Sequence, residues 1–238
     1  MPDKAIVVPT FNERGNIERL LPALLDFDTG IEVVVVDDDS PDGTAEVADA
    51  IARQRGRVHV VRHGQKQGIG PAYLAGFRRA LELDVGLVVQ MDADFSHPIA
   101  SLPDLFRHAE DHDLVLGSRY LDGITVVRWP IERLLLSYFG NSYVRRVTGL
   151  PVRDTTGGFK CWRREALEAL PLDRIRTKGY AFQVETTYRA LRARSEVVEV
   201  PIVFAERRSG GSKMTRGIVF EAMRKVPELR LRAALNRL

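Results

Sequence analysis

Cysteine is scarce in this chain: Cys161 is the only one among 238 residues. A single thiol cannot form an intrachain disulfide, and no cysteine-based zinc cluster can be built from it. Long apolar runs are also missing, since none approaches the roughly 18 residues that span a bilayer. The opening MPDKAIVVPT lacks the charged and then apolar layout of a signal peptide. We therefore expect a cytoplasmic protein with neither a transmembrane helix nor a signal peptide.

Three familiar functional patterns are absent as well. Neither G-x-G-x-x-G nor G-x-x-x-x-G-K-[ST] occurs in the chain, which disfavours dinucleotide oxidoreductases and ATPases of those designs. The run HAEDH at His108 to His112 has its glutamate in the wrong place for H-E-x-x-H. We interpret that run as a solvated helix face rather than a zinc-protease helix.

The net charge of +3 is unevenly distributed. Residues 207–238 contain nine Lys or Arg and two Glu, so this tail is basic and the body before it is mildly acidic. Apolar residues lie between the charges of the tail at spacings that give a helix an apolar side. That side argues against a nucleic-acid partner. It is typical both of a helix packed on the body and of a helix lying on a membrane surface, and both remain open.

Short apolar runs alternate with helical patterns up to about residue 120. The predicted strands contain AIVVP, EVVVV, VHVV, VGLVVQM and LVLGS, and the predicted helices end near Leu25 or run from Pro41 to about Arg55, Gly70 to Leu83 and Ile99 to about Asp111. This order predicts an α/β fold with a mainly parallel central sheet flanked by helices on both faces. In such sheets, ligands bind beyond the carboxyl ends of the strands. The later chain is less regular, with helices predicted over Ile131 to Val147 and Phe182 to Arg194 and a late strand EVVEVPIVF.

The aspartates at residues 37–39 follow the four valines of EVVVVDDDSPDGT. Four β-branched residues bounded by turn formers predict a buried strand, so these acids should lie where it leaves the core. The spacing resembles a calcium loop, but an EF-hand needs a helix where this chain has a strand. We interpret Ser40-Pro41 as the N-cap and first turn of the next helix. An acid at such a turn commonly binds a nucleotide; we favour that role for Asp38 and a turn role for Asp39 and Asp42.

A second acidic turn follows the strand in VVQMDADFSHP. Residues two apart on an extended backbone point the same way, so Asp92 and Asp94 can converge on one cation, with Ser96 next in the series. Mg²⁺ and Mn²⁺ use one or two carboxylates together with substrate phosphates. The pattern therefore predicts a divalent-cation site that a phosphorylated ligand completes, while a solvated turn is the alternative.

Several cations have spacings that suit phosphates. Arg119 ends the LVLGS strand, Arg133 lies four residues before Ser137 on one helix face, and Arg207 and Lys213 flank SGGS. Each one alone is typical of a surface charge. Together they exceed what one diphosphate requires, which predicts two phosphorylated ligands.

Motifs spread over nearly the whole chain resemble those of family-2 glycosyltransferases with the glycosyltransferase-A fold, and specifically of dolichol- or polyprenol-phosphate mannose synthases. They are PTFNE at Pro9 to Glu13, VDDDSPDGT at Val36 to Thr44, MDADFSHP at Met91 to Pro98, GSRY at Gly117 to Tyr120, DTTGGF at Asp154 to Phe159, KGYAFQVE at Lys178 to Glu185 and R-x-x-G-x-S-K at Arg207 to Lys213. Some are common singly, but in this order they are specific. The implied division is a catalytic domain over residues 1–213 and a basic amphipathic helix over 214–238.

The resemblance implies GDP-mannose as the donor and Mg²⁺ or Mn²⁺ as the cofactor. The implied guanosine contacts are Pro9, Phe11, Glu13, Val36 and Asp38. The metal would be held by Asp92, Asp94 and Ser96, with Ala93 also at the nucleotide sugar. Arg207 and Lys213 would close a loop over the diphosphate. Phe11 stands where tyrosine is frequent, which removes a hydroxyl from the nucleotide pocket, and Ser96 stands where some members have a glutamine ligand.

The implied acceptor is dolichyl or polyprenyl phosphate, with its phosphate held by Arg119, Arg133 and Ser137. Asp94 and Arg119 are the residues expected to act directly in catalysis. Because a phosphate monoester is mostly dianionic at neutral pH, with a second pKa of about 6, it needs no strong general base. No catalytic histidine is therefore expected, and direct displacement would invert the sugar to a β-linked product.

The resemblance also implies that the protein works at the cytoplasmic face of a membrane, through its basic tail or a small membrane-anchoring partner. UDP-glucose or another nucleotide sugar remains open as the donor. A non-catalytic nucleotide-binding module for membrane recruitment is the alternative from another class. A processive polysaccharide synthase is disfavoured because Thr125 stands where the glutamine of Q-x-x-R-W would be.

Overall fold

The structure is a computed structural model of the chain. It describes residues 3–64, 67–205 and 216–235, and in the last range the side chains of 223–235. The first half alternates strands and helices: β1 (Lys4–Thr10), α1 (Arg14–Phe27), β2 (Ile31–Asp37), α2 (Thr44–Arg55), β3 (Val58–Arg62), α3 (Ile69–Leu81), β4 (Leu87–Gln90), α4 (Leu102–His108) and β5 (Leu114–Ser118). The second half contains β6 (Val126–Val127), α5 (Ile131–Thr148), β7 (Lys160–Arg163), α6 (Arg164–Glu168), α7 (Ala181–Arg192), β8 (Val197–Pro201), β9 (Phe204–Ala205) and α8 (Arg216–Ala234).

Seven strands form the central sheet in the order β3-β2-β1-β4-β7-β5-β8. β7 is antiparallel to both of its neighbours, and the other pairings are parallel. The strand order reverses between β1 and β4, which is the place where open α/β sheets bind ligands. The predicted mainly parallel sheet is confirmed.

Helices cover both faces of this sheet. The valines of β2 show the division, because Val33 and Val35 pack into the apolar layer under α1, α2 and α4, whereas Val34 and Val36 pack into the layer under α3 and α7. All four are fully buried. A strand that is apolar on both sides is what a sheet between two helical layers requires.

Three predicted elements differ from the structure. The helix predicted from Pro41 begins at Thr44, after Gly43 with φ +84°. Ser40 is not its N-cap, because its hydroxyl donates to Asp37 Oδ1 at 2.7 Å and stabilises the turn after β2. The helix predicted over Ile99 to Asp111 begins with a 3₁₀ turn and ends, as α4, at His108.

The third difference is the late strand EVVEVPIVF, which is divided in two. β8 ends at Pro201, and β9 leaves the main sheet to pair with β6, with Phe204 opposite Val126. Thr125 holds the crossing, because its hydroxyl donates to the Ile202 carbonyl at 2.6 Å. The division carries Phe204 to the wall of the cavity described below.

The described part of the basic tail, α8, packs on the body of the protein. α8 contacts α5 and α7, and Val226, Leu229 and Ala233 are buried in the same apolar layer as those helices. The Tyr143 hydroxyl donates to the Met223 carbonyl at 3.0 Å. The sequence left two alternatives open for this helix, packing on the body or lying on a membrane surface. The structure shows the packed helix. Within the described ranges, no helix is long and apolar enough to cross a membrane.

Candidate active site

A cavity of about 320 Å³ opens at the carboxyl edge of the sheet, beside the reversal of strand order. It brings together most of the predicted site residues from four separate segments: Pro9, Glu13, Asp92, Ala93, Asp94, Ser96, Arg119, Arg133 and Ser137. Phe11, Val36 and Asp38 do not line it. Arg207 and Lys213 lie outside the described residues.

The carboxyl end of β2 lies beside that of β1, where the base of a nucleotide was predicted. Asp38 is 6% exposed, and its Oδ1 lies 2.8 Å from His63 Nδ1. The Val36 side chain is fully buried in the core, so any ligand contact of this residue is through its backbone. The acids beside Asp38 stabilise turns: Asp37 accepts hydrogen bonds from Thr10 and Ser40.

Asp42 joins the starts of two helices, as a turn role predicts. It accepts hydrogen bonds from the hydroxyl and backbone of Thr44, at the start of α2, and from the backbone of Arg14, at the start of α1. Burial opposes ionisation of this carboxyl, but the hydrogen bonds outweigh it and the pKa of Asp42 is lowered. The β1–α1 and β2–α2 turns are thereby fixed to each other at the edge of the cavity.

Both members of the acid pair line the cavity, but they lie in a turn. β4 ends at Gln90, and Phe95 has φ +61°, so the extended backbone predicted for these residues is wrong. The turn still presents both carboxylates: Asp94 Oδ1 accepts the Ser96 backbone N–H at 3.1 Å, and Asp92 Oδ1 accepts the Tyr73 hydroxyl at 3.2 Å. Burial beside the two aspartates raises the pKa of Tyr73 well above its ordinary value, so this phenol stays a donor.

The donor set fits a hard divalent cation. Ser96 Oγ is buried at the cavity wall and has no hydrogen-bond partner among the described residues. Two carboxylates and this hydroxyl are oxygen ligands of the kind that Mg²⁺ and Mn²⁺ prefer. In the part of the chain that the structure describes, no three His, Cys, Asp or Glu side chains surround one metal position. The described residues thus offer two carboxylates and a hydroxyl, an oxygen set that a phosphate-bearing ligand would complete.

Arg119 lies on the other side of the cavity in a buried ion pair with Asp154. Its Nε donates to Asp154 Oδ2 at 2.6 Å, and its Nη2 donates to Asp154 Oδ1 at 2.7 Å and to Thr156 Oγ1 at 2.9 Å. Burial opposes both charges, but the pairing raises the pKa of Arg119 and lowers that of Asp154. Because Nε and Nη2 are engaged, the Nη1 group is the part of this guanidinium left to bind a ligand.

Aromatic rings surround the two arginines of this side. The Arg133 guanidinium lies 4.1 Å from the centre of the Trp129 ring, and the Arg119 guanidinium lies 5.4 Å from it. Ser137 is four residues beyond Arg133 on α5 and accepts a 2.7 Å hydrogen bond from the Tyr120 hydroxyl. Guanidinium groups beside aromatic faces are stabilised by cation–π attraction. The side chains predicted to hold an acceptor phosphate are thus together in one wall.

Four residues that contact the predicted site residues were not themselves predicted from the sequence: Tyr73, His97, Trp129 and Asp154. His97 and Asp154 were inside the quoted motifs MDADFSHP and DTTGGF, so a signal existed but no role was assigned. Tyr73 lies in the middle of α3, a helix that carries no motif. Burial lowers the pKa of His97, which favours the neutral form of its ring.

An open, mainly parallel sheet with an acid pair beside the reversal of its strand order is typical of the glycosyltransferase-A fold. Solved structures that superpose on this chain support the same fold. Glucosyl-3-phosphoglycerate synthase from Mycobacterium tuberculosis, solved with Mn²⁺ and UDP, superposes with a TM-score of 0.61 at 17% identity, covering 99% of this chain and 80% of that one. At this identity the likeness concerns the fold.

The family follows from the sequence comparisons. The model described as "Glycosyl transferase family 2" matches residues 5–170, and the chain belongs to that family of glycosyltransferases. It is 44% identical to an undecaprenyl-phosphate mannosyltransferase of Micrococcus luteus, over 91% of this chain and 89% of that protein. It is 42% identical to a polyprenol monophosphomannose synthase of Mycolicibacterium smegmatis, over 98% and 88%.

Proposed function

We propose that this glycosyltransferase moves mannose from GDP-mannose to polyprenyl or dolichyl phosphate and inverts the anomeric carbon. The observation that carries the proposal is the composition of the cavity, which is lined by the acid pair Asp92 and Asp94 and by Arg119 and Arg133. An acid pair suits a cation with a diphosphate, and the arginines suit a second phosphate. The names of the two relatives, one an undecaprenyl-phosphate mannosyltransferase and the other a polyprenol monophosphomannose synthase, support the acceptor and the sugar.

The donor would lie along the β1–β4 side. Pro9 and Glu13 line this part of the cavity, and Asp38 lies beyond them at the end of β2, so these residues are proposed to hold the guanosine. Asp92, Asp94 and Ser96 would hold Mg²⁺ or Mn²⁺, and a bound cation supplies charge neutralisation for the departing diphosphate. Arg207 and Lys213 are proposed to add positive charge there, on the strength of the resemblance.

The acceptor phosphate would lie at Arg119, Arg133 and Ser137. One phosphate oxygen forms the new bond to the anomeric carbon, and the bond from that carbon to the diphosphate breaks with its electron pair leaving on GDP. The attacking oxygen carries no proton because the monoester is a dianion above its second pKa of about 6. Arg119 and Arg133 would orient this dianion, and no residue has to remove a proton.

An apolar surface beside the acceptor wall supports a lipid acceptor and a membrane location. Ile131, Leu135 and Phe139 recur every four residues on α5, and their exposures are 59%, 47% and 62%. The same helix presents Arg133 and Ser137 to the cavity. A polyprenyl chain whose phosphate sits at Arg133 could therefore leave toward an apolar surface, which is the kind that membranes cover. We propose that this surface contacts the cytoplasmic face of a membrane, directly or with a partner.

A transfer assay with two donors tests the function. Labelled GDP-mannose and UDP-glucose would be incubated separately with polyprenyl phosphate in detergent, with Mg²⁺, with Mn²⁺ and with chelator. We expect a metal-dependent mannosyl lipid with a β linkage from GDP-mannose. Transfer of glucose alone would favour a UDP-sugar donor, as in the solved neighbour that binds UDP, and an α-linked product would contradict direct displacement.

A further inference from the structure

The Asp92 carboxylate lies between two buried side chains that the reaction above does not use. The Tyr73 hydroxyl donates to Asp92 Oδ1 at 3.2 Å, and His97 Nε2 lies 3.9 Å from Asp92 Oδ2. The Asp92 side chain is 33% exposed at the cavity, whereas Tyr73 is fully buried and His97 is 2% exposed. A ligand in the cavity can therefore reach Asp92 much more readily than its two neighbours.

A backbone contact fixes which nitrogen of His97 carries the proton. The Asp92 backbone N–H donates to His97 Nδ1 at 3.0 Å, so Nδ1 is the acceptor. In a neutral imidazole the other nitrogen then holds the proton. Nε2–H is thus a neutral donor that faces Asp92 Oδ2, and one ring contacts both the backbone and the side chain of the same aspartate.

Aromatic packing holds both neighbours in place. The Tyr73 ring is parallel to that of Phe182, with 5.9 Å between centres and 1° between planes. The His97 ring stacks on Phe159 at 4.8 Å and meets Phe204 edge-on at 5.6 Å. Tyr73 belongs to α3, and His97 belongs to the turn after β4 that also carries Asp92. The carboxylate is therefore contacted both from a separate helix and from within its own turn.

We infer that Tyr73 and His97 are positioning residues, which orient the Asp92 carboxylate toward the cation that accompanies the donor diphosphate. This inference rests on the metal site of the proposed function. Outer hydrogen bonds to metal ligands typically contribute about 10–100-fold to metal affinity. Asp94 Oδ1 accepts the Ser96 backbone N–H within the same turn. Asp92 Oδ1 instead accepts a hydrogen bond from another element, through Tyr73 of α3.

The test measures Mn²⁺ binding directly, with the free Mn²⁺ signal in electron paramagnetic resonance as the readout. Mn²⁺ would be titrated into the whole protein in the presence of saturating GDP, and in a parallel series UDP. Tyr73→Phe removes only the hydroxyl, and we expect it to weaken Mn²⁺ binding about 10-fold or more. Tyr188→Phe is the matched control: it removes a hydroxyl from another buried tyrosine, 3.5 Å from Arg230 Nη1 and away from Asp92, and should leave Mn²⁺ affinity unchanged.

His97→Asn gives a second, independent variant. The shorter amide keeps an acceptor for the Asp92 backbone but cannot reach Oδ2, so Mn²⁺ affinity should again fall. In both variants kcat should recover at high Mn²⁺ while the metal concentration for half-maximal rate rises. A purely structural role would instead lower the melting temperature and leave the Mn²⁺ affinity of the folded protein unchanged.

The outcomes separate this inference from the proposed function. Tight Mn²⁺ binding by the wild-type protein and by Tyr73→Phe alike would overturn the positioning role alone. If the wild-type protein fails to bind Mn²⁺ both in the presence of GDP and in the presence of UDP, the metal site of the proposed function is wrong. The inference then fails with it. If His97→Asn does not fold, Tyr73→Phe still decides between these results.

Discussion

The charged side chains on the two sides of the cavity, Arg119 on one and Asp92 on the other, have different kinds of partner. On the acceptor side, Arg119 already has a counter-ion, because Asp154 accepts two of its side-chain hydrogen bonds and both residues are buried. On the donor side, the described contacts of the Asp92 side chain are with neutral groups, the Tyr73 phenol and the His97 imidazole. In the proposed function, the acceptor wall has its counter-ion within the protein, whereas the donor wall would take a cation from solution.

This difference has a physical cause. A phosphate dianion can be bound by an arginine whose free Nη1 edge is already oriented by a buried partner. A departing diphosphate accumulates more charge during the reaction, and a metal cation supplies charge without any change in the protein's protonation. In the proposed function, one cavity would thus combine a fixed binding wall with a wall that is completed when the donor and its cation bind.

The largest expected effect concerns stability on the acceptor side. Asp154→Asn leaves Arg119 buried without a counter-ion, and removal of one partner from a buried pair costs about 3–5 kcal/mol. Urea unfolding followed by circular dichroism measures this change. The control is Asp173→Asn, which removes the partner of Arg78 in an exposed pair and should cost less than about 1 kcal/mol. Equal losses in the two variants would mean that Arg119 is not held by its pair.

The donor side should lose activity rather than stability. Asp94→Asn keeps the size of the side chain but removes a carboxylate charge, and we expect transfer to fall about 10²–10³-fold, as when one charge-stabilising group is removed. The unfolding free energy should change little. Asp104→Asn, on the exposed face of α4, serves as the control for activity. Wild-type transfer rates in Asp94→Asn would contradict the proposal that the reaction needs a cation held by Asp94.

Arg133→Ala is expected to act on the acceptor alone. Hydrogen bonds to charged groups contribute about 1.5–3 kcal/mol, so the KM for polyprenyl phosphate should rise about 10–100-fold. The KM for GDP-mannose should stay the same. Steady-state kinetics with each substrate varied in turn measure both constants. A rise in the donor constant instead would place Arg133 on the wrong side of the cavity.

The apolar surface of α5 extends the acceptor side outward. Replacing Ile131, Leu135 and Phe139 together by serine should reduce co-sedimentation with lipid vesicles about 10-fold, because each apolar side chain contributes up to about 1.5–3 kcal/mol when it is buried. Transfer to a short, water-soluble prenyl phosphate should be unaffected. Loss of activity with the short acceptor as well would show that the substitutions disturb the site itself.

A further expected effect is a pH dependence of stability from Lys160, a fully buried strand residue. Burial lowers the pKa of Lys160 to about 7, below its value in the unfolded chain. The unfolded chain therefore binds the extra proton above pH 7, and the folded state gains stability as pH rises from about 7 toward 10. Lys160→Met should remove this gain, which denaturant unfolding at several pH values would detect. An unchanged slope in the variant would assign the pH dependence to other groups.

The first half of the fold was predictable because its strands are marked in the sequence by short apolar runs followed by turn residues. Four consecutive valines in β2 and turn residues after each strand gave both the sheet and the place of its acids. The predicted N-cap at Ser40 was wrong, because the side chains of Asp37 and Ser40 bond to each other across the turn, a choice that local spacing does not reveal. The division of the late strand depends on Thr125, which is 77 residues away from its partner Ile202.

The acid pair of the site was predictable from the sequence, whereas its uncharged neighbours and the partners from distant parts of the chain were not. Asp92 and Asp94 stand out as acids after a buried strand, and both line the cavity. Tyr73 reaches Asp92 only because α3 packs beneath β4, and a tyrosine in a helix resembles any core residue in sequence. Contacts between elements distant in the chain, such as that of Arg119 with Asp154, become visible only in the folded structure.

The central claim is that the cavity holds two phosphorylated ligands at once, and calorimetry tests it most directly. Geranyl phosphate, a short soluble prenyl phosphate, would be titrated into the protein alone and into the protein saturated with Mn²⁺ and GDP. The account predicts that it binds in both cases, with equal or higher affinity in the second, since the two walls are separate. Competition, seen as weaker binding in proportion to GDP occupancy, would mean a single phosphate site and would contradict the account.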